Sequence, residues 1–370
     1  MLKLGFSFSF SDLYARAGLV RVDAAFLRYL GEGDADLAER LLAARARPET
    51  LTKQAESELL IALAPTLEDF VAALFGIQAE VEALSARHAA LAPLYTIKRL
   101  FVQRRAMHKI KPDEAARLDG AALEARLVSY FGLAFSELVF AREVAGWLKD
   151  EARYGERIDT AVEYAAWASQ TPEGAQKHRA GVLFKAPAKL NFAHLVPVHT
   201  DTTDGYSVHT LLPEHLRRRD GFALTDAGTD LTGALDEANY CIWCHEQGKD
   251  SCSTGLREKA AAKKTPGEVS DGSAPAFKKN IFGVTQAGCP LEEKISEFHK
   301  VKTQGHAIGA LAVICIDNPL VAATGHRICN DCMKSCIYQK QEPVDIPQAE
   351  TRTLKDVLEL PYGFQRVSRL

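Results

Sequence analysis

The sequence predicts a mainly α protein: an N-terminal helical bundle, an irregular connector, then an α-helical domain that carries the cysteines. Three observations lead there. Apolar residues recur at steps of three and four from about Asp12 to Gln170. From about Gly181 to Gly233 that periodicity breaks into short β-prone pieces (GVLF, HLVPV, YSVHTLL) between Pro, Gly, Asp and Thr. All 8 cysteines lie between Cys241 and Cys336. The expected units are a bundle over 1–180, a connector or small irregular subdomain over 181–235, and a cysteine domain over 236–363 with an exposed insertion at 255–282. Residues 364–370 form a tail.

Within the bundle, Leu67, Phe70, Val71, Leu74, Ile77, Val81 and Leu84 form one helical stripe, with Pro65-Thr66 and Asp69 as its start signal. A second helix runs from about Ser136, burying Phe140, Val144, Trp147 and Leu148 and exposing Arg142, Glu143 and Lys149. Such stripes are core. The run Ala307 to Ile316 (AIGALAVICI) spans ten residues where a membrane-crossing helix needs about 20, so it is a buried strand or core helix and no membrane span is expected.

The 370 residues are 47% hydrophobic and 25% charged with a net charge of −3, the balance of a soluble globular protein. Disorder and collagen-like repeats are excluded, and no global charge draws the chain to nucleic acid or an anionic membrane. The basic groups Arg104, Arg105, His108, Lys109 and Lys111, and the Arg217-Arg218-Arg219 run, lack interleaved aromatics and read as solvated faces or a docking surface for an acidic partner. His194, His199, Asp201, Asp204 and His209 have no compact ligand spacing and read as loop side chains. The start, MLKLGFSFSFS, is a poor export signal, which places the chain in the reducing cytoplasm. Clustered cysteines there are metal ligands or redox groups more often than disulfides.

The cysteines read Cys241-x2-Cys244-x7-Cys252-x36-Cys289-Pro290, then Cys315, then Cys329-x2-Cys332-x3-Cys336. Cys315, in Val-Ile-Cys-Ile, is a core residue. If Cys329 to Tyr338 is helical, steps of three and four bring Cys329, Cys332 and Cys336 within about 60° of one face, because each residue turns about 100°. Four readings compete. Cys241-Ile-Trp-Cys244-His245 is a covalent haem motif, but that attachment leaves the other cysteines unexplained. Structural zinc has two C-x-x-C knuckles but 84 residues between them. A redox dithiol is the third. Iron–sulfur binding is favoured, because a cubane's corners stand ångströms apart and suit ligands from a helix face plus a distant Cys-Pro.

From about Asn239 to Gly363 the chain resembles the N-terminal iron–sulfur domain of the small subunit of bacterial glutamate synthase and of dihydropyrimidine dehydrogenase. The matching residues are Cys241-x2-Cys244, Cys252, Gly288-Cys289-Pro290 before a helix with Ile295 and Phe298, Asn318-Pro319-Leu320, Gly325-His326-Arg327-Ile328-Cys329, Cys332-x3-Cys336, and Pro343-Val344-Asp345-Ile346. The resemblance implies two [4Fe-4S] clusters. One would use Cys241, Cys244, Cys252 and, from the last helix, Glu350; the other Cys289, Cys329, Cys332 and Cys336. Glu350 shares a helix face with Leu354 and Val357, which points its carboxylate inward; the alternative is that it only complements the helix N-terminus.

In the family, such clusters carry single electrons between a flavin reduced by NAD(P)H and a second redox centre. No G-x-G-x-x-G occurs in this chain. FAD and NAD(P)H are therefore expected on a C-terminal domain or partner subunit beyond the tail, with a further redox subunit as a second partner. The expected function is electron relay, catalytically incomplete alone. The alternative is a zinc-stabilised scaffold that uses the helical half as its interaction surface.

Overall fold

The computed structural model describes residues 4–203, 205–213, 216, 218–223, 226, 228–258, 275–325 and 328–363. It is mainly α, as the periodicity predicts. Four helices open the chain: α1 (Arg16–Gly33), α2 (Ala35–Ala46), α3 (Lys53–Phe75) and α4 (Gln78–Ile97). Asp34 and Thr52 cap α2 and α3 by accepting the N–H groups of Leu37 and Ala55. Phe26, Leu30, Leu59, Phe70 and Leu74 close the first core between α1, α2 and α3.

Two details differ from the sequence reading. Pro65 lies inside α3, which starts twelve residues earlier at Lys53, so it is no start signal. Buried Leu59 and Ala64 on its N-terminal side hold the helix together through it. The stripe from Leu67 to Leu84 is also not one helix. It breaks at Gly76, whose φ of +64° ends α3 in the left-handed conformation that glycine adopts without strain.

Helix α4 runs into a widened turn at Lys98–Ala106. Then come α5 (Gly120–Phe131), α6 (Glu137–Trp147), α7 (Glu151–Gln170) and α8 (Pro172–Lys177). Asp119, Ser136, Asp150 and Thr171 cap them in turn. Phe140, Val144 and Trp147 are buried in one core with Phe101, Leu127 and Tyr164, as their spacing predicts. The GVLF piece is not a strand: Val182, Leu183 and Phe184 fill that core, and the Glu137 carboxylate accepts the N–H groups of Val182 and Leu183. A side chain thus satisfies backbone groups that a sheet would otherwise pair.

In the connector, β1 (Val198–Asp201) and β2 (Val208–Leu211) form an exposed antiparallel hairpin. The histidines and acids noted there do not converge: His209 meets the hydroxyl of Thr200 across the hairpin, and Asp201 accepts the N–H of Thr203. Asp204 and Arg217 lie outside the described residues. Arg105 and Lys109 pair with Glu151 and Asp159.

The last third contains α9 (Leu231–Tyr240), which crosses the expected boundary at 235, α10 (Ile295–Thr303), α11 (Ala307–Asp317), α12 (Asp331–Ser335) and α13 (Ile346–Leu358). The apolar run from Ala307 is thus a core helix. It packs on the N-terminal unit: Ala64, Val301 and Ala310 share one contact cluster, and Ile77, Val81 and Leu84 share another with Ala307, Ile308 and Leu360. Gly309 permits the approach, since a Cβ there would stand 2.8 Å from the carbonyl oxygen of Ala64. No helix among the described residues is long and apolar enough to cross a membrane. Of the expected insertion, 259–274 lie outside the described residues, and its flanks meet through Arg257 stacked 4.0 Å from the Phe277 ring centroid.

Candidate metal centre

The cysteines come together in two groups, divided differently from the expectation. Cys241 follows the last residue of α9, and Trp243, at φ +52°, turns the chain so that Cys244 faces back toward it. Cys252 sits in the short helix Ser251–Thr254, capped by the Asp250 carboxylate. The fourth member is Cys336. All four line one pocket with Asp250, Ile295, Ser296, His299, Tyr338, Val344 and Ile346.

Cys336 joins this set because α12 stops at Ser335. Cys336, with φ −56° and ψ 141°, is the residue at which the chain leaves the helix. A continuous helix over Cys329 to Tyr338 is therefore incorrect, and so is the shared face of three thiols. Cys336 and Cys252 line one pocket instead. The influence of each thiol on the other lowers Cys336 to about 7 and raises Cys252 well above the ordinary thiol value. Burial pushes Cys244 up to about 11 and raises Cys241 further.

The second group holds Cys289, Cys329, Cys332 and Glu350. Burial raises the Cys332 thiol, and nearby Cys289, Glu350 and Cys329 raise it further. Burial raises the Cys289 thiol, the backbone N–H groups of Glu293 and Leu291 oppose this, and Glu293 and Cys329 add to the rise. Cys329 is the exposed member and accepts the N–H of Asp331 at 3.5 Å. Glu350 is buried on the inner face of α13, as its spacing predicts, but it faces the second group and not Cys241, Cys244 and Cys252. The Asn318 amide donates to it at 3.2 Å, and burial, aided by Glu293, pushes its carboxyl up to about 8. His326 and Arg327 lie outside the described residues.

The two groups touch. The Cys289 N–H donates to the Cys252 carbonyl at 2.8 Å, and Gly288 N–H donates to Ser335 Oγ at 2.9 Å. Gly288 makes this approach possible: its φ is +85°, and a Cβ would stand 2.5 Å from the Gly255 nitrogen. Cys315 is half-buried against the same core, near Glu293 and Glu350.

Sequence reasoning missed Glu293, Asp250 and His299. Glu293 lies four positions after Cys289, the one local cue to it. Asp250, pushed up to about 6 chiefly by burial, had only its position before Ser251 to mark it as a cap. His299 is fully buried and pushed down to about 3 by burial, so its ring is neutral.

Among the described residues, no three His, Cys, Asp or Glu side chains stand close enough to ligate one metal ion. The thiols of the first group surround a pocket.

Residues 4–76 match the family model described as the RP005 N-terminal alpha-helical domain. The uncharacterized protein RP005 of Rickettsia prowazekii (strain Madrid E) is 29% identical over 310 residues, 82% of this chain and 99% of RP005. The uncharacterized protein RP006 of the same organism is 65% identical over 46 residues, 12% of this chain and 6% of RP006. The chain thus spans nearly all of RP005 and a small part of RP006, which is about twice as long as this chain. No solved structure matches significantly. Neither relative's name states an activity.

Proposed function

We propose that this chain is the iron–sulfur portion of a flavin- and NAD(P)H-dependent oxidoreductase, relaying electrons between a flavin and a partner redox centre. The observation that supports it is the grouping of seven cysteines and Glu350 into two adjacent four-donor sets: Cys241, Cys244, Cys252 and Cys336, and Cys289, Cys329, Cys332 and Glu350. The first set suits a [4Fe-4S] cluster, since its thiols from separate segments surround one pocket, and the second set offers the same kind of donors. The thiols are raised by burial as free acids, and a cationic cluster would supply the charge that lets them ionise.

When bound, such clusters take up and release single electrons. The chain's own residues then divide the work. Cys241, Cys244, Cys252 and Cys336, with Ile295, Val344 and Ile346, keep water from the first centre. A carboxylate donor such as Glu350 adds negative charge and lowers the potential of the second relative to a neutral donor. Cys329, exposed, puts the second set nearest the surface and makes it the exchange point with a partner. The flavin and NAD(P)H belong to a C-terminal domain or partner subunit, so this portion is not catalytically complete alone. That a short segment recurs within RP006, a much longer polypeptide, supports a fused or docked partner. Clusters of this kind and reduced thiols suit a reducing compartment, which supports a cytoplasmic location.

Anaerobic purification with iron, sulfide and zinc analysis is the test. Roughly eight irons and eight sulfides per chain, with visible absorption bleached by dithionite, are expected. Stoichiometric zinc without visible absorption would replace this reading with the zinc-stabilised scaffold.

A further inference from the structure

His299 sits in the middle of α10, and its ring is fully buried. Neither ring nitrogen has a hydrogen-bond partner among the described residues. Buried polar groups in folded proteins are almost always paired, so a doubly orphaned imidazole calls for a partner. The ring lines the same pocket as Cys241, Cys244, Cys252 and Cys336.

Of the other polar side chains around that pocket, Asp250 and Ser296 have work elsewhere, and the Tyr338 ring stacks on Tyr240 at 4.6 Å. The Asp250 carboxylate accepts the N–H of Ser253. The Ser296 hydroxyl is bonded to Nδ1 of His245 at 2.6 Å and also accepts the His245 N–H. Ile242, Ile295, Ile337, Val344 and Ile346 have no side-chain donor. A neutral imidazole carries one N–H donor and one acceptor. A cluster in the pocket offers sulfur atoms, which accept N–H hydrogen bonds, and such bonds help set cluster potentials.

Resting on the iron–sulfur reading above, we propose that His299 donates an N–H···S hydrogen bond to the centre held by Cys241, Cys244, Cys252 and Cys336. It is a positioning residue for that centre. A donor favours the more negative, reduced state, so His299 raises the reduction potential. The same bond removes the cost of an unpaired buried N–H.

The test uses the full chain, purified anaerobically with ¹⁵N-labelled histidine and reduced with dithionite. Pulsed EPR of the wild type should show a histidine ¹⁵N coupling on the signal that is lost in Cys336→Ser. In His299→Leu the coupling should vanish and the midpoint potential of that centre should move negative, with iron and sulfide unchanged. His299→Gln, which keeps an N–H, should lose the ¹⁵N-histidine coupling yet hold a potential closer to wild type. A cluster-bearing wild type without any histidine coupling overturns the role of His299 and leaves the electron-relay reading intact. So does a His299→Leu protein whose potential is unchanged. If His299→Leu does not fold, the wild-type coupling and His299→Gln decide. A wild type without iron and sulfide overturns the iron–sulfur reading itself, and this inference with it.

Discussion

Cys336 lines one pocket with Cys252, 84 positions away in the sequence, and Cys332, four positions away, does not line it. Helix α12 ends at Ser335, and the chain leaves it at Cys336. Variants should sort accordingly. Cys252→Ser and Cys336→Ser are expected to lose the same EPR signal and about half of the iron, whereas Cys289→Ser and Cys332→Ser lose the other. A Cys336→Ser spectrum matching that of Cys332→Ser would show that the division is wrong.

A buried carboxylate helps to fasten the N-terminal unit to the cysteine domain. Glu68, 2% exposed on α3, accepts the N–H groups of Ile308 at 2.7 Å and Gly309 at 3.2 Å, and faces His306 Nδ1 at 3.1 Å. It thus supplies an anion to the first turn of α11, where His306 provides no side-chain cap of its own. Glu68→Ala leaves buried amides unpaired and should lower unfolding free energy by about 2–3 kcal/mol, with Glu68→Gln costing about 1. Urea denaturation would measure it. A loss below about 0.5 kcal/mol for Glu68→Ala would mean that water replaces the carboxylate.

The bundle was readable from spacing because a three-and-four step repeats only where one face is buried. Its boundaries were not. Ile77 and Val81 continue the stripe past Gly76, since they share the neighbours Ala307 and Ile308 with Ala72 of α3. That the C-x-x-C cysteines come together was readable, as Cys241 and Cys244 lining one pocket show. Their division was not, because it depends on where a five-residue helix ends. Glu350 was legible as an inward-facing carboxylate. Its set was not, because Asn318 and Glu293, on distant segments, determine what it faces.

Glu237 on α9 gives a pH dependence. Burial raises its carboxyl from 4.5 to about 7, with Asp236 and Asp345 adding to the rise and the Asp345 N–H partly opposing it. The folded chain therefore holds this proton to higher pH than the unfolded chain. The contribution is complete below 4.5 and is lost as pH climbs through 7. Glu237→Gln keeps an oxygen for the Asp345 N–H, bonded in the wild type at 2.8 Å, and never ionises. Its stability relative to wild type should rise between pH 5 and pH 8 by about 1–2 kcal/mol. Thermal melts across that range check this, and parallel pH profiles for the two proteins would refute it.

Lys302 and Asp356 form an ion pair at 2.8 Å with both side chains fully buried, and Arg352 Nε also donates to Asp356 at 2.6 Å. The two cations make the partners unequal. Without Lys302, Asp356 keeps Arg352, so Lys302→Met exchanges a charged stem for an apolar one of similar length and should cost only about 1–2 kcal/mol. Without its carboxylate, Lys302 is a buried cation, and Asp356→Asn should cost about 3–5 kcal/mol at pH 7. Burial already lowers the Lys302 pKa, with Asp356 opposing that shift, so removing the carboxylate lowers it further. The folded Asp356→Asn chain then binds fewer protons than the unfolded one, and its stability should recover as pH rises from 7 toward the ordinary lysine value of 10.5. Lys302→Met has no such group and should not recover. Urea titrations at pH 7, 8 and 9 separate the two, and a deficit in Asp356→Asn that stays constant with pH would show that Lys302 is neutral in the native fold or solvated on losing its partner.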